Sequence, residues 1–144
     1  QKDKTTISIL ENRKTMTPQE IIEGNKLIAL FLGYVKSSSD KDFTFYTHPD
    51  GKGIITQSEH DYTRYYTHEL MEARSFLFHR SWSWLMPIVE KIESLGYPVK
   101  IKMNDCWIIL PDVEEFGANK DNKITSVWTA VVSFIKWYNQ NKPV

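Results

Sequence analysis

One cysteine, Cys106, excludes an intramolecular disulfide and any zinc site built from the cysteines of one chain. That scarcity fits a reducing, cytoplasmic setting. No run approaches the roughly eighteen consecutive apolar residues of a membrane span, so no membrane association is expected. Nor is there the hydrophobic block of a signal peptide: Thr5-Thr6-Ile7-Ser8-Ile9-Leu10 is short and leads into Glu11, Arg13 and Lys14. Charge of one sign is missing as well. Eighteen basic residues balance eighteen acidic ones, which removes the basic excess typical of a dedicated phosphate-backbone binder. HExxH, GxSxG, P-loop and GxGxxG patterns are all absent.

What is present is a chain of ordinary single-domain length with five tryptophans. Met16-Thr17-Pro18 would make a natural start, so residues 1–15 read as an extension and 16–144 as one α+β domain. Thr17 is a good N-cap, Pro18 suits the first helical position, and Glu20 complements the positive helix end. Ile21, Asn25, Ile28 and Leu32 share a face widened by Ile22, Leu27 and Phe31, which predicts a helix over 18–32 ending at Gly33. Gly24 inside that run costs about 1 kcal/mol relative to alanine, which suggests a close neighbour. The Ser-rich stretch 36–42 reads as a loop. Phe43–Thr47 has strand composition, His48-Pro49-Asp50-Gly51-Lys52-Gly53 is turn chemistry, and Ile54–Thr56 reads as a returning strand. Residues 58–74 read as a short helix bearing Tyr62, Tyr65 and Tyr66, and Phe76–His79 as a short strand.

The second half carries the stronger signals. Leu85, Ile88, Val89, Ile92 and Leu95 repeat at helical spacing between a Ser81 or Ser83 cap and Gly96, predicting a helix over 81–95 with Pro87 near its first turn. Val99, Ile101 and Met103 alternate with Lys100, Lys102 and Asn104, a strand with one wet face. Asn104-Asp105 reads as a turn, and Cys106–Leu110 returns with an apolar residue at every position. Both faces of that strand therefore want cover, which argues for a three-layer α/β/α sandwich around a mainly antiparallel sheet. Residues 112–122, with Asp112, Glu114, Glu115 and Asp121, read as a solvated loop without EF-hand spacing. Ile124, Val127, Trp128, Val131, Phe134, Ile135 and Tyr138 form the broad stripe of a last helix over 122–140.

Chemistry-bearing groups are sparse. His48, His60, His68 and His79 are scattered, and the eight-position spacing of His60 and His68 leaves them offset and two turns apart on any helix. An enzyme reading, hydrolase-like or metal-dependent, would rest on His60, Asp61, His68 and Glu69 converging; no metal or cofactor is expected. Cys106, inside a buried strand, reads as a small hydrophobe. Tyr62, Tyr65, Tyr66, Trp82 and Trp84 sit where core packing explains them least, and they are the candidate binding surface, since Trp and Tyr are common interface anchors. A nucleic-acid reading would need Arg64, Arg74, Arg80, Lys100 and Lys102 on one face.

Three runs carry a resemblance: Ile21-Ile22-Glu23-Gly24-Asn25-Lys26-Leu27-Ile28-Ala29, the run Ser81 to Glu93 with its Trp-Leu-Met-Pro, and Ile124 to Asn139 with its Ile-Lys-Trp-Tyr-Asn. Together they resemble a family of uncharacterised small proteins from gut Bacteroidetes and their phages, and the element order is similar, more loosely, to the phage ABA sandwich domain. The resemblance covers roughly Thr17 to Asn139. It implies a three-layer sandwich and supplies no catalytic residues. The resulting expectation is a non-enzymatic accessory protein of phage or mobile-element type, acting on a protein partner or by self-association.

Overall fold

Nine elements are placed by the computed structural model, which describes residues 16–39, 43–51, 54–58, 76–111, 115–120 and 122–141. The chain divides into two compact units, one formed by Met16–Leu77 and the other beginning at Phe78. Helices are combined with antiparallel sheets in both, the α+β character expected from sequence.

In the first unit, helix α1 (Pro18–Phe31) starts at a complete capping box: the Thr17 hydroxyl accepts from the Glu20 N–H at 3.1 Å, and the Glu20 carboxylate accepts from the Thr17 N–H at 3.1 Å. It ends in a Schellman motif. Gly33 takes φ +100, its N–H donates to the Leu30 carbonyl, and the Tyr34 N–H reaches the Ala29 carbonyl. Ile22, Gly24, Asn25, Ile28 and Ala29 are buried. Strands β1 (Val35–Ser39), β2 (Phe43–Thr47) and β3 (Ile54–Ser58) form an antiparallel sheet in that order, and α1 packs against β3.

β1 corrects the loop expected from residue 36 onward. Its serines have little strand propensity, and pairing with β2 makes the strand instead. It is exposed throughout and bulged at Ser37, whose hydroxyl donates to the Phe45 carbonyl at 3.0 Å. The β2–β3 turn is as expected, closed by the Gly51 N–H donating to the His48 carbonyl at 2.8 Å. Phe76 is irregular rather than part of a strand, and it anchors this core. Its ring meets Tyr34 and Tyr46 edge to face at 5.3 and 5.1 Å, and its carbonyl accepts from the buried Asn25 amide at 3.1 Å. The helix expected at 58–74 lies outside the described residues.

The second unit opens with a turn at Phe78–Arg80, where a strand had been expected, and then helix α2 (Trp82–Ser94). Leu85, Ile88, Val89 and Ile92 are its buried face, while Leu95 is exposed just beyond its end. Pro87 lies inside the helix rather than at its first turn, so the Ser83 carbonyl loses its helical donor. Both residues are exposed, which leaves that carbonyl open to water. A second Schellman motif ends α2 at Gly96, φ +98.

Strands β4 (Val99–Lys102), β5 (Asp105–Ile109) and β6 (Glu115–Asn119) form an antiparallel sheet in that order. The hairpin turn is Met103-Asn104, one residue earlier than expected, and Met103 takes φ +53. β6 replaces part of the expected loop, because Gly117 and Ala118 are buried opposite Trp107 and Cys106. Along β5, Cys106 and Ile108 are fully buried and Trp107 and Ile109 half-buried. Helix α3 (Lys123–Asn141) packs on β5 and β6 and contacts α2.

Of the predicted stripe α3 buries Val127, Trp128, Val131, Phe134 and Ile135, with Ser126, Ala130 and Val132 besides, while Ile124 and Tyr138 are half-buried. Its first turn is capped by Asn122, whose side-chain oxygen accepts from the Thr125 N–H at 2.9 Å. The Ser126 hydroxyl accepts from the Lys120 N–H at 2.7 Å and donates to the Asn104 carbonyl, tying the hairpin turn to the helix start. Nearby, the Asn119 amide donates to the Asp105 carboxylate across the β5–β6 pair. Among the described residues no buried side-chain nitrogen or oxygen lacks a partner.

Candidate binding surface

The outward side of α2 exposes two large apolar side chains close together. Trp82 and Met86 stand one turn apart and are 39% and 36% exposed, with Ser83 and Pro87 exposed beside them and Glu90 and Glu93 beyond. Ser81, in extended backbone, precedes the helix, but its hydroxyl bonds to that of Ser83 at 2.9 Å instead of capping a backbone donor.

Trp84, two residues on, points the other way. A helix turns about 100° per residue, so positions i and i+2 diverge by about 200°. The Trp84 ring is half-buried and lies edge to face on the buried Phe78 at 5.3 Å. The two tryptophans that sequence placed in one candidate surface are therefore split, Trp82 toward solvent and Trp84 against Phe78. Tyr62, Tyr65 and Tyr66 lie outside the described residues.

The groups of the enzyme reading, His60, Asp61, His68 and Glu69, also lie outside the described residues. Of the other two histidines, His79 is half-buried, and that burial, with the Arg80 charge second, pushes its pKa down to about 4. Its ring is neutral at pH 7 and ill suited to serve as a cation. His48 Nδ1 sits 2.9 Å from Asp50 Oδ1, and its ring meets Tyr34 edge-on at 5.1 Å. That pair joins neighbours two apart in a turn, a geometry that braces the turn. The Tyr34 hydroxyl is held above its ordinary pKa by burial and then by the Asp50 charge. Burial pushes the Cys106 thiol up to about 12, which removes it as a nucleophile at neutral pH. Among the described residues no three His, Cys, Asp or Glu side chains gather where a metal could bind.

Of the basic residues, Lys100 and Lys102 are exposed on β4, and Arg80 is exposed in the turn before α2; Arg64 and Arg74 lie outside the described residues. Residue-by-residue reading missed an aromatic cluster at the C-terminal half of α3. Tyr97, Phe116, Trp137 and Tyr138, all half-buried, surround or adjoin the buried Phe134, with ring centroids between 5.0 and 6.3 Å apart. Phe134 and Tyr138 are one helical turn apart, a local signal. Tyr97 and Phe116 arrive from the turn after α2 and from β6, so only the tertiary fold brings them in.

No helix among the described residues is long and apolar enough to cross a membrane. No family model, curated protein or solved structure matches the chain.

Proposed function

We propose that this chain is a non-enzymatic binding protein that acts by protein–protein contact, of the phage or mobile-element type its sequence resembles. The observation that carries the reading is the exposed Trp82–Met86 pair on α2. A large ring and a flexible thioether, one turn apart on a rigid helix, are the kind of anchor that fills a pocket on a partner. The same face supports self-association, with Trp82 of one copy packing on that of another. The reading extends to the fold: a three-layer α/β/α arrangement accounts for the half-buried Trp107 and Ile109. Their face of β5 is opposite the one covered by α3, because Phe116, the cross-strand partner of Ile108, packs on Trp137 of α3.

Replacing Trp82 and Met86 together by alanine tests the binding reading. Stability is expected to change by no more than about 1 kcal/mol, because both side chains are already substantially exposed. Capture of the native-host partner, or the sedimentation signature of a dimer, is expected to weaken by about thirtyfold, the effect of removing one hot spot. A variant that unfolds, or that binds and sediments as the parent does, removes the basis of the reading.

A further inference from the structure

The β4 edge of the second sheet offers a different surface. β4 ends the order β4-β5-β6, and among the described residues no strand pairs with its other side. The register says which of its backbone groups face outward. The Ile109 N–H donates to the Pro98 carbonyl at 2.9 Å, so Pro98 and Ile109 belong to the hydrogen-bonded set of this antiparallel pair. That set recurs at every second position, at Lys100 with Trp107 and at Lys102 with Asp105. The N–H and C=O groups of Val99 and Ile101 therefore point away from β5, toward the open edge. Lys100, Ile101 and Lys102 are exposed, and Val99 is half-buried.

The side chains add chemistry to this edge. Lys100 and Lys102 share the face of Trp107 and Asp105, while Ile101 stands on the other face, opposite Cys106. The Asp105 carboxylate beside Lys102 is engaged by the Asn119 amide. Unlike β1, whose exposed edge is kinked by the Ser37 bulge, β4 pairs without a register shift.

We infer that β4 is a docking edge for an extended peptide in which acidic and apolar residues alternate. Such a peptide adds as a fourth strand, taking the two outward N–H and two outward C=O groups. Its carboxylates lie beside Lys100 and Lys102, and the apolar residue between them lies beside Ile101. A second copy of this chain fits poorly. Pairing β4 with itself sets lysine against lysine in either antiparallel register, centred on residue 100 or on 101, and directly opposed like charges destabilise a pair. An oligonucleotide fits less well than a peptide, because two lysines on a chain of zero formal charge make a short basic patch with unused strand hydrogen bonds beside it.

The test titrates the full chain, ¹⁵N-labelled, with a peptide of about eight alternating glutamate and valine residues. A lysine–valine peptide of the same length and a short oligothymidylate are run in parallel. Saturable shifts confined to Val99–Lys102 and their β5 partners, given by the acidic peptide and weakened by salt, are expected. Ile101→Pro removes an outward N–H at an edge position where proline is tolerated, and should weaken binding about tenfold or more with the spectrum otherwise retained. Lys100→Glu with Lys102→Glu should transfer the preference to the lysine–valine peptide, and this variant decides the matter should Ile101→Pro fail to fold. The absence of saturable shifts, equal binding of both peptides, unchanged binding by a folded Ile101→Pro, or binding of the oligonucleotide alone overturns the inference. The Trp82–Met86 surface is untouched in every variant, so its success or failure is scored separately.

Discussion

His79 shows how one residue's environment becomes a property of the protein. Its pKa of about 4 in the folded chain lies below the ordinary 6.5 because burial disfavours the charged ring, with Arg80 adding repulsion. Between those two values the unfolded chain binds the proton and the folded chain does not. The stabilisation due to this group is therefore complete above pH 6.5 and is lost as pH falls toward 4, by at most about 3 kcal/mol. Urea midpoints measured across that window should fall with pH in the parent and fall less steeply in His79→Gln. Equal slopes would show that His79 is not the titrating group. None of this was legible in the sequence, where His79 was one of four scattered histidines. Cys106 was legible, because a lone cysteine inside an unbroken apolar strand has few ways to avoid burial, and it is buried. Trp82 and Trp84 could be read as helical, but which of them faced solvent depended on where Phe78 packed.

At the scale of elements, the ends of the helices were the most legible features. Thr17 with Glu20 and the glycines at 33 and 96 act through bonds between near neighbours, so their signals survive without tertiary context. The strands were less so. Apart from Val35 and Phe116, β1 and β6 are built from serine, glycine, alanine and polar residues, and both exist because a stronger strand, β2 or β5, pairs with them. The β4–β5 turn slipped by one residue because Met103 is not a turn-forming side chain. It nonetheless holds φ +53, a left-handed conformation costing a non-glycine residue about 1–2 kcal/mol. The side chain is 76% exposed, so little packing is lost when it is removed. Met103→Gly should accordingly raise stability by about 0.5–1 kcal/mol, read as a higher urea midpoint with unchanged slope. A fall would mean that the methionine makes contacts outweighing its backbone strain.

At the scale of the whole molecule, the question raised by β5 is what lies over its second face. If the proposed third layer covers Trp107, removing the ring forfeits buried area, and Trp107→Ser should cost about 2–4 kcal/mol. A loss under about 0.5 kcal/mol would mark an open face and end the three-layer reading. Sequence alone determined what local bonds and periodicity can specify: the three described helices, the Thr17 cap of α1 and the glycine stops of α1 and α2, the Phe43–Thr47 strand with its turn, the hairpin after α2, and the α+β class. The tertiary structure decided what depends on partners distant in the chain. It turned polar stretches into the edge strands β1 and β6, brought Tyr97 onto Phe134 and Phe116 onto Trp137, buried Ser126 where its hydroxyl joins three segments, and left one side of β4 without a strand partner among the described residues. The physical reason is range: caps and helical stripes involve residues within about four positions, whereas strand pairing and burial are settled only when segments far apart in sequence meet.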